Sequence, residues 1–138
     1  MREKVIWSGG LCSEKLDDNP GVHIFKIDPF RCTLDESESF DTYTDRNGGM
    51  ELRSFLWKVR QGEVVIGVTA GEPTTYLRDA LYILQKRYGV NVGDVRIRGS
   101  FAFVAQKGYP YRTVLHKVVM EKISNVRPAR LKVVIRGV

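Results

Sequence analysis

An α+β domain with a mixed or antiparallel sheet is the fold this chain predicts, and three observations carry it. Strand-like stretches gather as hairpins at both ends, which a strictly alternating β-α-β chain would not show. Two middle segments repeat apolar residues at helical spacing. Between them and the last strands, the stretch from Val95 to Gly108 carries a run, Phe101 to Ala105, that is apolar on both faces. The 138 residues suit one domain, 1–138, with a real core. No internal repeat, low-complexity segment or linker divides them.

In order, Lys4 to Ser8 reads as a short strand closed by Gly9-Gly10, and Cys12 to Asn19 as a polar loop. Asn19-Pro20-Gly21 is a turn that launches a strand at Val22 to Ile27, stopped by Asp28-Pro29. Glu38 to Tyr43 alternates and pairs back as a hairpin. Leu52, Phe55, Leu56 and Val59 then recur at helical spacing, with Gly62 placed for a cap, so a helix is expected from Met50 to Gln61. Glu63 to Thr69 is a continuous apolar strand. Pro73 suits a first helical position, which predicts a second helix from Pro73 to Tyr88 with Leu77, Ala80, Leu81, Leu84 and Tyr88 on its core face and Gly89 closing it.

The stretch from Val95 to Gly108 reads as a buried central strand. Phe101, Phe103 and Ala105 share one face, Ala102 and Val104 the other. Upstream, Arg96 and Arg98 alternate with Val95 and Ile97, which puts both guanidinium groups on one side at the strand mouth. They read either as a recognition pair or as edge charges that blunt a strand end. Thr113 to Glu121 and Arg130 to Arg136 alternate as two more strands.

The formal net charge of +6 favours anionic partners without choosing among nucleic acid, acidic glycans and lipid. The apolar runs are short, which excludes a membrane span by a helix. No signal peptide is visible, since Met1-Arg2-Glu3-Lys4 leads straight into Val5-Ile6-Trp7; the chain is made without one or is a trimmed piece. Cys12 and Cys32 are too few for a structural zinc site and form one disulfide or stay two free thiols.

Catalytic patterns are missing. There is no phosphate-binding glycine loop around Gly67 to Gly71 and no Gly-x-Ser-x-Gly elbow. His23 and His116 fall within expected strands, where a packed or surface role is the ordinary one. Tyr109, Tyr111 and Arg112 with Arg96 and Arg98 make an aromatic and basic group. It is the best case for nucleic acid in the chain, but no RNA-binding signature and no recognition helix rich in lysine and arginine accompanies it, so nucleic acid is not the expected partner. Nothing calls for a cofactor.

An ordered set of short motifs carries a resemblance. Phe40-Asp41-Thr42-Tyr43 comes first, then Gly49 before a helix closed near Gly62, a hydrophobic strand, and Leu77-x-Asp79 in a helix closed by Gly89. The last is Arg98-x-Ser100-Phe101-Ala102-Phe103-Val104-x-x-Lys107-Gly108. From Gly21 to Gly108 the chain resembles the ILEI/FAM3 domain of small secreted cytokine-like proteins. That domain also forms the stem of a protein O-mannose N-acetylglucosaminyltransferase and occurs in hyaluronan-processing cell-surface proteins. The resemblance implies two packed, mostly antiparallel β-sheets flanked by two main helices, with no catalytic site.

It also implies a sugar pocket with three polar contacts. The arginine ahead of the Phe-x-Phe strand is kept as Arg98, while Pro20 stands at the first position and Gly71, with Glu72 beside it, at the second. The ligand-binding set expected from this is Arg98, Glu72, Arg96, Gly71, Tyr76 and Tyr109. The partner expected is a glycan or glycoprotein, an N-acetylhexosamine or an acidic glycan; the alternative is a cytokine-like or structural domain with a protein partner. An extracellular or cell-surface setting follows from the resemblance, and there Cys12 and Cys32 can bridge.

Overall fold

The computed structural model describes residues 2–6, 20–28, 31, 33–97, 99–108, 116–121 and 133–137, with β1 and β7 described by their backbone. Among these the chain runs β1 (Arg2–Ile6), β2 (Gly21–Asp28), β3 (Thr33–Phe40), α1 (Gly48–Lys58), β4 (Val64–Ala70), α2 (Arg78–Tyr88), β5 (Ser100–Gln106), β6 (Lys117–Glu121) and β7 (Val133–Gly137). Five strands form one antiparallel sheet in the order β3-β2-β4-β5-β6, and β1 pairs with β7 in a separate two-stranded ribbon. The arrangement is α+β: a five-stranded antiparallel sheet with two helices.

The central strands are apolar on both faces because both faces are buried. Val22, Ile24, Val65, Phe101, Phe103 and Ala105 lie under the helices, against Leu52, Phe55 and Leu56 of α1 and Ala80, Ile83, Leu84 and Tyr88 of α2. On the other face Val64, Ile66, Val68, Ala102 and Val104 are buried in a second cluster. The expected split of β5 into a Phe101/Phe103 face and an Ala102/Val104 face is what the sheet shows. Opposite Phe103, on β4, stands Gly67. A side-chain carbon there would lie 2.3 Å from the Phe103 ring, so the absent side chain is what leaves room for it.

Helix α1 ends at Lys58, three residues short of the expected Gln61, because its last carbonyls are taken by another part of the chain. The Lys107 ammonium donates to the carbonyls of Leu56, Trp57 and Val59 at 2.5–2.9 Å. These are the acceptors a helix end leaves open. The Tyr88 hydroxyl also donates to the Leu56 carbonyl, at 2.7 Å, and so ties α2 to the end of α1. Burial, and then the charge of Glu63, raise the pKa of that phenol and keep it a neutral donor. Gly89 ends α2 as expected, in the left-handed conformation, with its N–H on the Gln85 carbonyl.

Two expected elements begin later than the sequence suggested. Helix α2 starts at Arg78, not Pro73. The Glu72 carboxylate accepts from the Thr74 amide and hydroxyl, each at 2.6 Å, and the Tyr76 amide donates to the Thr42 carbonyl at 2.7 Å. These bonds hold residues 71–77 as a turn bound to the loop after β3, and the helix waits until they are past. Strand β5 starts at Ser100, so Arg96 does not sit on a strand. The Val95 amide bonds the Val92 carbonyl and the Gly99 amide bonds the Arg96 carbonyl, two successive tight turns. Val95 points into the core while Ile97 is 70% exposed, which no common strand face would allow.

Candidate functional site

The end of the sheet where β4 stops and β5 begins holds part of the expected ligand set. Thr69 and Phe101 lock the two strands there: the Thr69 hydroxyl donates to the Phe101 carbonyl and accepts from the Phe101 amide. Gly71 follows, exposed and in the left-handed region at φ +59°. Glu72 is buried, with one carboxylate oxygen turned onto Thr74, and Tyr76 is half-buried. Arg96 is exposed in the turn before β5. Because α2 begins at Arg78, the free amides of a helix start do not face this turn, contrary to what Pro73 implied. Arg98, Tyr109, Tyr111, Cys12 and Cys32 lie outside the described residues.

Next to this turn, the loop after β3 is fastened by Asp41. Its carboxylate accepts from the Tyr43 and Thr44 amides at 2.9 Å and from the Thr44 hydroxyl. The Thr44 hydroxyl and amide are the main causes that hold the Asp41 pKa below its ordinary value of 3.8, with slight burial opposing them and the Tyr43 and Asp45 amides adding a little. A carboxylate whose folded pKa is depressed stabilises the fold above its unfolded pKa and loses that contribution as pH falls through the folded value. Wild type is therefore expected to be more stable than Asp41→Asn at neutral pH. The gap should narrow as an acid titration of unfolding free energy descends below 3.8. A gap that stays constant into strong acid would contradict the role given to Asp41.

A concave surface of a different kind lies between the outer faces of α1 and α2. It is a groove of about 940 Å³. Arg53, Trp57 and Lys58 from α1 and Tyr82, Lys86 and Arg87 from α2 line it, and Asp79 is the one carboxylate among the lining residues. Its floor is the buried Ile83, whereas Trp57 is 65% and Tyr82 72% exposed. Four cations around two exposed rings, against a single carboxylate, make the groove electropositive and amphipathic. The Lys107 ammonium stands 5.5 Å from the centre of the Trp57 ring, and a smaller hollow lined by Trp57, Arg87 and Lys107 adjoins the groove, sharing Trp57 and Arg87 with it. Burial, and next Arg87, lower the Lys107 pKa, while Glu63 pulls the other way.

The profile of the ILEI family, the interleukin-like EMT inducer, matches residues 20–109. The chain belongs to this family. A search of curated proteins gave no match.

The matched span of the ILEI domain contains β2 to β5, both helices, the turn at 71–76 and Lys107, so it holds both surfaces just described. Of its Lys107-Gly108 pair, read in the sequence as a motif, Lys107 stops α1 and the Gly108 amide donates to the Arg87 carbonyl of α2 at 2.9 Å. Membership is consistent with a cytokine-like or interaction module.

Sequence reasoning passed over Trp57 and Tyr82. The signal was present, since both fall outside the apolar faces assigned to their helices. A tryptophan on the solvent side of a helix is a costly exposure unless something covers it. Arg53 and Arg87 could be joined to them only once α1 and α2 were known to lie side by side.

Proposed function

We propose that the domain is a non-catalytic recognition module and that its ligand is a carbohydrate bearing acidic groups, held in the groove between α1 and α2. One observation carries this reading: Trp57 and Tyr82 stand exposed among Arg53, Lys58, Lys86 and Arg87 over an apolar floor. Exposed indole and phenol rings offer flat apolar faces at low entropic cost, and guanidinium groups match carboxylate and sulfate geometry. An extracellular or cell-surface setting goes with this reading. So does a second sheet layer, supported by the burial of Ile66, Val68, Ala102 and Val104 on the face away from the helices.

The turn at Gly71, Glu72 and Tyr76, with Arg96 nearby in sequence to β5, is the alternative sugar pocket that the family resemblance implies. Binding at either shallow site is expected near millimolar, about −4 kcal/mol. Trp57→Ala removes the main platform, and a loss of about 2 kcal/mol at such a position would take binding out of reach. The test is an NMR titration of wild type and Trp57→Ala with uronic-acid-containing oligosaccharides and with neutral N-acetylhexosamines. Acidic oligosaccharides should shift residues of α1 and α2 in wild type only, more weakly at high salt, with the thermal midpoint of the variant unchanged. Shifts confined to residues 71–76 would move the ligand to the alternative pocket.

A protein partner is the second reading, favoured by the exposure of the large rings Trp57 and Tyr82, which a partner surface would cover. The absence of any sugar-induced shift at tens of millimolar, well above the affinity argued here, would leave it as the account of this surface.

A further inference from the structure

Strand β3 is the outermost strand of the large sheet, hydrogen-bonded to β2 alone among the described residues. Residues 33–39 are all exposed. An edge strand turns the amides and carbonyls of alternate residues outward, a ready template for one more strand. Beside it, between β3 and α1, lies a second groove of about 530 Å³. Glu36 and Glu38 of β3 and Glu51 of α1 line it over an apolar bed of Phe40, Phe55 and Met50. Glu36, Glu38 and Phe40 alternate along β3 and share one face, so the groove runs along the strand at its two-residue period. Phe40 and Phe55 meet edge to face at 5.6 Å and join the strand to the helix.

We propose that β3 is a docking strand for an extended basic segment of a protein partner. The segment adds to the sheet edge through backbone hydrogen bonds and lays alternate lysine or arginine side chains into the groove. The apolar bed takes their aliphatic stems, and Glu36, Glu38 and Glu51 take their charged heads. Charge selects this occupant. Asp35, Glu36 and Glu38 lie within the strand, which has no lysine or arginine of its own. A second copy pairing β3 on β3 would therefore set carboxylates against carboxylates. Lys26 bridges Glu36 at 3.4 Å and Glu63 at 3.7 Å, and Lys58 lines the same groove, so Glu36 is partly neutralised and Glu38 is the carboxylate to vary. This site adjoins the α1–α2 groove, sharing Ser54 and Lys58 with it, but does not depend on the ligand proposed there.

The probe is a blocked synthetic peptide of alternating lysine and threonine, matched to the eight residues of β3. Three comparisons use the same titration: the peptide N-methylated at alternate amides, a glutamate-threonine peptide, and Glu38→Lys protein. The unmodified peptide should shift the amides of residues 33–40 and the signals of Met50. N-methylation and Glu38→Lys should each weaken it at least about tenfold, the order of one charge-assisted hydrogen bond, and the acidic peptide should not bind. Glu38 is exposed, so its variant should keep the wild-type thermal midpoint. Equal binding of the N-methylated peptide would reduce the effect to bulk charge and overturn the proposal, as would shifts elsewhere or none at millimolar peptide. The carboxylates would then serve only to keep the edge from self-association.

Discussion

Phe103→Ala should cost about 3–5 kcal/mol of stability, the range for truncating a fully buried phenylalanine. Phe103 is 0% exposed, in the middle of β5, itself an interior strand. Its ring stacks near Phe101, with centroids 6.2 Å apart and planes 21° from parallel, and it covers Gly67 on the neighbouring strand. Neighbours on all sides are sheet or helix, so the cavity cannot collapse cheaply. A loss of this size should lower the midpoint by on the order of 10 °C or more. Urea unfolding of the two proteins is the measurement, and a difference below 1 kcal/mol would show that the ring is not packed as described. Gly67→Ala supplies an internal check. Alone it forces a carbon against the Phe103 ring, but in the Phe103→Ala background that carbon enters the vacated space, so the two costs should fall well short of additive.

How much of this fold could be read from the residues depends on how each segment is stabilised. β5 and the core faces of both helices were legible because burial on a defined face writes a period into the sequence. Ile83 was missed beside Leu84 because a wide apolar stripe blurs at its rim. β3 was placed too late, at Glu38 to Tyr43. Thr33 to Ser39 has no apolar face at all, and only pairing with β2 makes it a strand. The start of α2 was misjudged because Pro73 is compatible with a helix start, while the Tyr76 amide, which a helix from Pro73 would use, donates instead to the Thr42 carbonyl. That bond spans 34 residues between Thr42 and Tyr76, and no local pattern announces it. The groove was illegible for the same reason: Trp57 and Tyr82 become neighbours only through helix packing. The family, by contrast, was recognisable, and the motif residues that carried the resemblance include Gly49 and Phe103, which close contacts hold in this fold.

Gly49→Ala should destabilise the domain by about 2–3 kcal/mol, toward the upper part of the range for overpacking. Intrinsic propensity argues the other way, since alanine in a helix is favoured over glycine by about 1 kcal/mol. Geometry decides between them. Gly49 lies in the first turn of α1, and a side-chain carbon on it would stand 2.2 Å from the Tyr76 carbonyl oxygen; one on Gly48 would stand 2.0 Å from that of Asp41. Both obstacles are backbone atoms, which cannot turn aside as a side chain would. The Tyr76 carbonyl is held where it is, because the amide of the same residue donates to the Thr42 carbonyl at 2.7 Å. The start of α1 must therefore back away, or the bond between Thr42 and Tyr76 must break. Either change reaches the turn that carries Glu72, so amide shifts in the variant should spread over residues 71–77 as well as 41–49. Ser54→Ala, at an exposed position of the same helix, is the propensity control and should stabilise by a few tenths of a kcal/mol. If Gly49→Ala matched that gain in thermal unfolding, the close approach of α1 to Tyr76 would be wrong, and with it the account of why α2 starts at Arg78.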